Sequence, residues 1–189
     1  MKIGVLALQG DFKDHIKILN KLNVDAVEVR LPEDLSKADG LIIPGGESTT
    51  IGKLLLSSGL MAAIIKRCKK GMPIYGTCAG AILLAKKIEG NSQPSLRLLD
   101  ISVRRNDYGR QIDSFETELN LKNIGKVHGI FIRAPIISKV GKDVEVLGKE
   151  KNNPVLVQQD NLLASTFHPE LAGDKRVHEY FVRMIKGKQ

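Results

Sequence analysis

Apolar positions along the chain switch between two periods, and the switches mark out its elements. Residues 3–8 form an unbroken apolar run of strand length, the pattern of a strand buried on both faces. Phe12, Ile16, Leu19 and Leu22 then recur at helical spacing among Lys and Asp, which predicts an amphipathic helix. The strand pattern returns at residues 26–29 and 40–44, and residues 49–57 and 60–69 read as two helices separated by Gly59. A short strand at 73–76 leads into a helix at 79–87. Strand and helix alternating in this way is the signature of a parallel sheet covered by helices.

Beyond residue 96 the pattern changes. Strand-like runs follow one another at 98–103, 115–119, 126–133, 144–148, 155–159 and 162–167, with turn residues between them, which predicts hairpins or a mixed edge of the sheet. A closing helix fits residues 174–185, where Val177, Tyr180, Phe181, Met184 and Ile185 make an apolar stripe. No linker, low-complexity tract or internal repeat interrupts the chain. The expectation is one α/β domain over residues 1–189, three-layered α/β/α, with a central, mostly parallel mixed sheet.

Composition narrows the setting. With 42% hydrophobic residues, 26% charged residues and a mean hydropathy of -0.09, the chain reads as a soluble globular protein. The first apolar run is too short for a secretory signal and is broken by Gln9-Gly10-Asp11. Two cysteines, Cys68 and Cys78, are too few for a disulfide framework and do not match a zinc-ligand spacing, so a reducing cytoplasm is the natural location. The net charge of +8 is scattered and interleaved with acids, and three Tyr, five Phe and no Trp leave few platforms for bases. That argues against a nucleic-acid partner and for a lysine-rich surface, or a face that meets an acidic protein.

Candidate chemistry centres on Gly76-Thr77-Cys78-Ala79-Gly80, the G-x-nucleophile-x-G form of a nucleophile elbow with cysteine in place of serine. Small residues two positions either side let the chain turn sharply from strand to helix and hold the thiol at the strand's C-terminal edge, where open α/β sheets bind ligands. Backbone N–H groups at such a helix start favour the anionic form of a thiol. The bland alternative is a buried, inert cysteine between small residues; Cys68, in a Lys-Arg-Cys-Lys-Lys helical stretch, lacks the elbow setting and reads as structural.

Acyl transfer also needs a base, and four histidines are available. His168 follows an apolar run and has Glu170 two positions on, so in extended chain the carboxylate can orient one ring nitrogen while the other faces the thiol. Alone, His168-Pro169-Glu170 reads better as a turn with two exposed polar side chains; paired with the elbow it reads as the rest of a triad. His178 and Glu179 read as surface residues, His128 as structural, and His15 as facing solvent or a partner. For an oxyanion, Ala79 offers one N–H from the helix start, and the Gly45-Gly46 pair could offer another through Gly46. Glycine pairs are also ordinary loop punctuation.

Gly76-Thr77-Cys78-Ala79-Gly80 together with Phe167-His168-Pro169-Glu170-Leu171 resembles the class I (triad) glutamine amidotransferases. Four further stretches narrow this resemblance to the glutaminase subunits of pyridoxal 5'-phosphate synthase. They are Leu8-Gln9-Gly10-Asp11-Phe12, Pro44-Gly45-Gly46-Glu47-Ser48-Thr49-Thr50, the segment from Arg105-Asn106 through Gly109-Arg110-Gln111 to Ser114-Phe115-Glu116, and Phe131-Ile132-Arg133-Ala134-Pro135. The resemblance implies a flavodoxin-like fold, with Cys78 as nucleophile, His168 and Glu170 as relay pair, and Gly46, Glu47, Ser48, Arg105, Ile132 and Arg133 as the positions that hold glutamine. A zwitterionic amino acid suits that set, since it wants a carboxylate for its ammonium and cationic or N–H donors for its carboxylate. Surface ion pairing is the plain alternative for Glu47 and Arg105. Two departures stand out: Asp107-Tyr108, where the family commonly has a small hydroxyl residue and phenylalanine, and the idiosyncratic stretch at 91–97.

The implied reaction hydrolyses L-glutamine to glutamate and ammonia through a cysteine thioester, without metal or organic cofactor. The implied partner is a synthase subunit, in a large hetero-oligomer, that joins the ammonia with pentose and triose phosphates. The resemblance also leads to the expectation that the isolated glutaminase is weak and that docking completes the oxyanion hole through the Gly45-Gly46 loop. The rivals are a glutaminase serving another synthase, such as imidazole glycerol phosphate synthase, and a non-catalytic module on the same fold.

Overall fold

The computed structural model describes residues 1–105 and 114–187. Most of the segment at 105–116 that carries part of the family resemblance, including Asp107-Tyr108, therefore lies outside the described residues. The first half runs β1 (Lys2–Leu6), α1 (Phe12–Lys21), β2 (Asp25–Val29), α2 (Pro32–Leu35), β3 (Gly40–Ile43), α3 (Ser48–Ser57), α4 (Leu60–Lys69), β4 (Ile74–Thr77), α5 (Ala79–Leu84) and β5 (Ala85–Ile88). The second half runs β6 (Leu99–Arg104), β7 (Ser114–Leu121), β8 (Gly125–Ile132), β9 (Ile136–Val140), β10 (Glu145–Glu150), β11 (Asn153–Gln159), β12 (Leu162–Ser165) and α6 (Arg176–Lys186).

Seven strands form the central sheet in the order β10-β11-β12-β4-β3-β1-β2. Neighbours from β12 to β2 pair in parallel, and β10 and β11 add an antiparallel edge, as the switch to successive strand runs predicts. Alternate residues of each parallel strand face opposite layers. Leu41, Ile43 and Ile74 join Ile51, Leu55 and Ile64 of α3 and α4, while Ile42, Tyr75 and Leu163 join Leu19 of α1 and Val177 and Phe181 of α6. This is the three-layer α/β/α arrangement with a mostly parallel mixed sheet. A three-stranded sheet β5-β6-β9 and a β7-β8 hairpin complete it.

One local expectation changes, and two elements had no expectation. The helix predicted at 79–87 stops at Leu84, and Ala85, at φ -57° and ψ 138°, turns into β5, which pairs in parallel with β6. An Ala-Leu-Lys sequence favours helix on its own, and the strand partner from residues 99–104 overrides that preference. β9, antiparallel to β6, and the short α2 had no periodic signal long enough to read.

Candidate active site

Parallel pairing brings four loops to one edge. Thr77 at the end of β4 lies in register with Ser165 at the end of β12, and Ile43 of β3 with Gly76. The segments that continue from these strands carry Cys78, His168 and Gly45-Gly46, and the loop after β1 adds Gln9-Gly10-Asp11. A backbone bond from Cys78 N–H to the Ser165 carbonyl (2.8 Å) fastens the elbow to β12.

Cys78 sits at the N-cap of α5 with φ 47° and ψ -101°, a positive-φ conformation that side chains resist. The flanking glycines permit it. A Cβ on Gly76 would come within 2.6 Å of the Gly80 backbone, and one on Gly80 would strike the Ile43 carbonyl. Cys78 is 7% exposed, and its sulfur lies 3.8 Å from the Ile132 carbonyl oxygen.

His168 is buried, and its Nδ1 bonds Glu170 Oε1 at 2.7 Å. A Cβ on Gly45 would run into its imidazole, so that glycine makes room for the ring. Burial pulls the His168 pKa down, but bonds to Cys78 and Glu170 outweigh it and push the value up to about 10. For Glu170 burial raises the pKa, and the charges and hydrogen bonds of His15 and His168 more than reverse this, holding the carboxyl well below its usual range. Glu170 thus favours the protonated form of His168, whose ring also bonds the Cys78 sulfur.

A cleft of about 340 Å³ opens in front of this group, lined by Asp11, Gly46, Glu47, Ser48, Cys78, Ala79, Ile82, Arg105, Ile132, Arg133 and His168. Every residue assigned to glutamine by the resemblance lies on this wall, while Glu170 stands behind His168. Gly46, at φ 150°, could not carry a side chain without meeting Gln9, whose Oε1 accepts from Glu47 N–H at 2.8 Å. Arg133, at φ 44°, is a second non-glycine residue with positive φ at the cleft.

Glu47 does more than line the wall. Its carboxylate accepts from Thr49 and Thr50 N–H (3.0 and 2.7 Å), from the Thr50 hydroxyl (2.7 Å) and from Arg105 Nη2 (3.2 Å), capping α3 and filling its lone-pair sites. The Thr50 bond leads the causes that bring its pKa down to about 2. Arg105 Nη1 bonds Gln93 Oε1 (2.7 Å) and Thr49 Oγ1 (3.0 Å), so the guanidinium is braced from both sides.

Several residues here escaped the sequence reading. Asp11 brings a carboxylate oxygen within 4.8 Å of a His168 ring nitrogen and a Glu170 oxygen, and burial raises its pKa while His168 opposes the rise. Gln93 lies in the stretch at 91–97 that looked idiosyncratic and turns out to hold Arg105. His178, read as a surface residue, and His15, read as facing solvent or a partner, are both fully buried behind the site. The signal was there, because His15 lies three and four residues from Ile18 and Leu19, and His178 beside Val177 and four residues from Val182. His128 is partly exposed on β8, bonded to Glu118 (2.8 Å) and Glu116 (2.7 Å), whose bonds raise its pKa.

Comparison with known proteins shows the family and the fold of the chain. The chain is 51% identical over 188 residues to the pyridoxal 5'-phosphate synthase subunit PdxT of Thermotoga petrophila, across 98% of this chain and 100% of that protein. It is 53% identical over 191 residues to the protein of the same name from Dehalococcoides mccartyi, across 98% of each. A crystal structure of a glutamine amidotransferase superposes with a TM-score of 0.95 at 49% identity, over 97% of this chain and 98% of that one. A putative GMP synthase component from Thermoplasma acidophilum, at 19% identity and a TM-score of 0.72 over 100% of this chain and 95% of that one, shares the fold alone. Because the model of one family matches from residue 5 to residue 187, the elbow, the His168-Glu170 pair and the cleft wall all fall within the match: the chain belongs to the SNO glutamine amidotransferase family.

Proposed function

We propose that this chain, acting as a single domain in the cytoplasm, is the glutaminase subunit of a pyridoxal 5'-phosphate synthase and releases ammonia from L-glutamine at Cys78. The observation that carries the proposal is a cysteine held in a strained elbow, with a His168-Glu170 pair bonded at 2.7 Å beside it and a polar cleft in front. The relatives' shared name supplies the client synthase.

The Cys78 thiolate attacks the side-chain amide carbon of glutamine, and N–H groups of Ala79 and Gly46 receive the oxyanion. Imidazolium His168, oriented by Glu170, protonates the departing nitrogen, the C–N bond breaks and ammonia leaves a thioester on Cys78. His168, now neutral, takes a proton from water, hydroxide attacks the thioester, and glutamate departs as the thiolate returns. Arg105, Arg133 and the Ile132 backbone face the amino-acid end, with Ser48. Glu47 can receive the ammonium only by giving up one of the donors that now fill its carboxylate.

Free ammonia is protonated and lost in bulk water, so it is passed to a synthase partner in a hetero-oligomer. Ammonia release by the wild type and by Cys78→Ala, measured with and without that synthase, tests the reading. The expectation is loss of about 10⁴-fold or more in the variant, as for removal of a nucleophile elsewhere. Activity retained by Cys78→Ala would falsify it.

A further inference from the structure

We propose that His15 is a positioning residue of this site: its Nε2–H is shared between Glu170 and Thr77, holding the relay carboxylate against His168 and tying it to the strand that carries Cys78. The inference rests on the reading of Cys78, His168 and Glu170 as nucleophile and relay pair.

The geometry is that of a buried chain of polar atoms. His15 Nε2 lies 3.5 Å from Glu170 Oε1 and 3.2 Å from Thr77 Oγ1, and its Nδ1 lies 2.8 Å from His178 Nε2. A carboxylate only accepts, so the His15 nitrogen facing it carries the proton. Burial, followed by the charge of His15, brings the pKa of His178 down to about 3 and leaves that ring neutral. A single proton closes the bond between His178 Nε2 and His15 Nδ1, and the other His178 nitrogen, Nδ1, has no partner among the described residues and ends the chain.

Glu170 depends on this support. Its Oε2 has no hydrogen-bond partner among the described residues, so both imidazoles that orient the carboxylate act through Oε1. The terminal torsion of a glutamate is broad, and a single bond to His168 would leave the plane of the carboxylate loosely set. Tyr75 packs edge-on against both His15 and His178, at 6.5 and 5.8 Å between ring centres, and closes the pocket. The charged and titratable groups around Glu170 are Asp11 before α1, His15 on α1, Tyr75 on β4, Cys78 at the start of α5, His168 on its own segment and His178 on α6, with Asp174 beyond His178.

Removing His15 takes a donor from Glu170, so the carboxylate is protonated at higher pH, and a neutral Glu170 no longer favours the imidazolium-thiolate pair. The test uses the full chain, alone and with its synthase, as His15→Leu, His15→Asn and His15→Gln. Two pH profiles are read: glutamine hydrolysis, and alkylation of Cys78 by iodoacetamide. His15→Leu and His15→Asn are expected to lower kcat about tenfold near neutral pH with KM changed less than about threefold. In both variants the acid limb of each profile moves up by about one pH unit.

His15→Gln, whose amide nitrogen reaches the place of the imidazole Nε2, is expected to restore the wild-type limb and most of kcat. Equal losses in all three variants with unmoved limbs, or a His15→Leu protein indistinguishable from wild type, would overturn the proposal. Should His15→Leu fail to fold, the Asn and Gln pair decides. Cys78→Ala run alongside separates the two ideas: an active Cys78→Ala ends the triad reading, whereas an inactive one with unmoved limbs in the His15 variants ends only the role of His15.

Discussion

Cys78 combines a reactive atom with a backbone conformation, φ 47° and ψ -101°, that costs about 1–3 kcal/mol for a side chain to hold. Glycine removes that cost, while elsewhere it is less stable than alanine by up to about 1 kcal/mol. Cys78→Gly is therefore expected to unfold at a denaturant concentration at least as high as Cys78→Ala, both being inactive; a clearly weaker Gly variant would show that the elbow stores no strain. The histidines show the limits of reading single residues. His168 was legible because an apolar run and Glu170 flank it, whereas His15 and His178 had only their place on apolar helix faces to betray burial. His178 makes a second test possible. Its pKa is about 3 when folded and near 6.5 when unfolded, so between these values the unfolded chain binds the extra proton and stability falls as pH falls, by about 1.4 kcal/mol per pH unit. Urea unfolding at pH 7 and pH 5 should show this loss in the wild type, and His178→Phe should flatten the slope by about one proton.

Elements act here by bracing one another. α3 begins at a cap made by Glu47, and a Cβ on its Gly52 would strike the Pro94 carbonyl, so the segment after β5 packs directly on this helix. That packing places Gln93 against Ser48, Thr49 and Arg105, at 3.3, 3.2 and 2.7 Å. Gln93→Ala is expected to raise KM for glutamine about tenfold, the value of one good hydrogen bond to a charged group, with kcat changed far less. Steady-state kinetics decide it, since a fall in kcat at constant KM would place Gln93 elsewhere in the reaction. No periodicity could have announced Gln93, which sits in an irregular segment and works through a side chain 12 residues away in sequence. β5 was missed for a related reason, its partner strand lying beyond that same segment.

At the scale of the molecule, the parallel order β12-β4-β3-β1 puts four loops on one edge, where they meet Arg105 and Ile132-Arg133 to form the cleft. Asp11 N–H donates to the Gly45 carbonyl at 3.1 Å, so the Gly45-Gly46 loop, proposed above to offer an N–H to the oxyanion, is held by the loop after β1. A docking synthase that moves either loop acts on the other. Ammonia release by the isolated chain is accordingly expected to rise about tenfold or more when the synthase is added, the scale of one oxyanion donor being about 10²–10³. Equal rates with and without it would remove the activation idea. The order of strand and helix apart from α2, β5 and β9, the elbow glycines and the spacing of His168 from Glu170 were set by the sequence alone, because each depends on residues a few positions apart. Which histidines are buried, what braces Arg105 and what fills the lone pairs of Glu47 were decided only by the tertiary structure, because those contacts join residues from different elements through packing that leaves no local pattern.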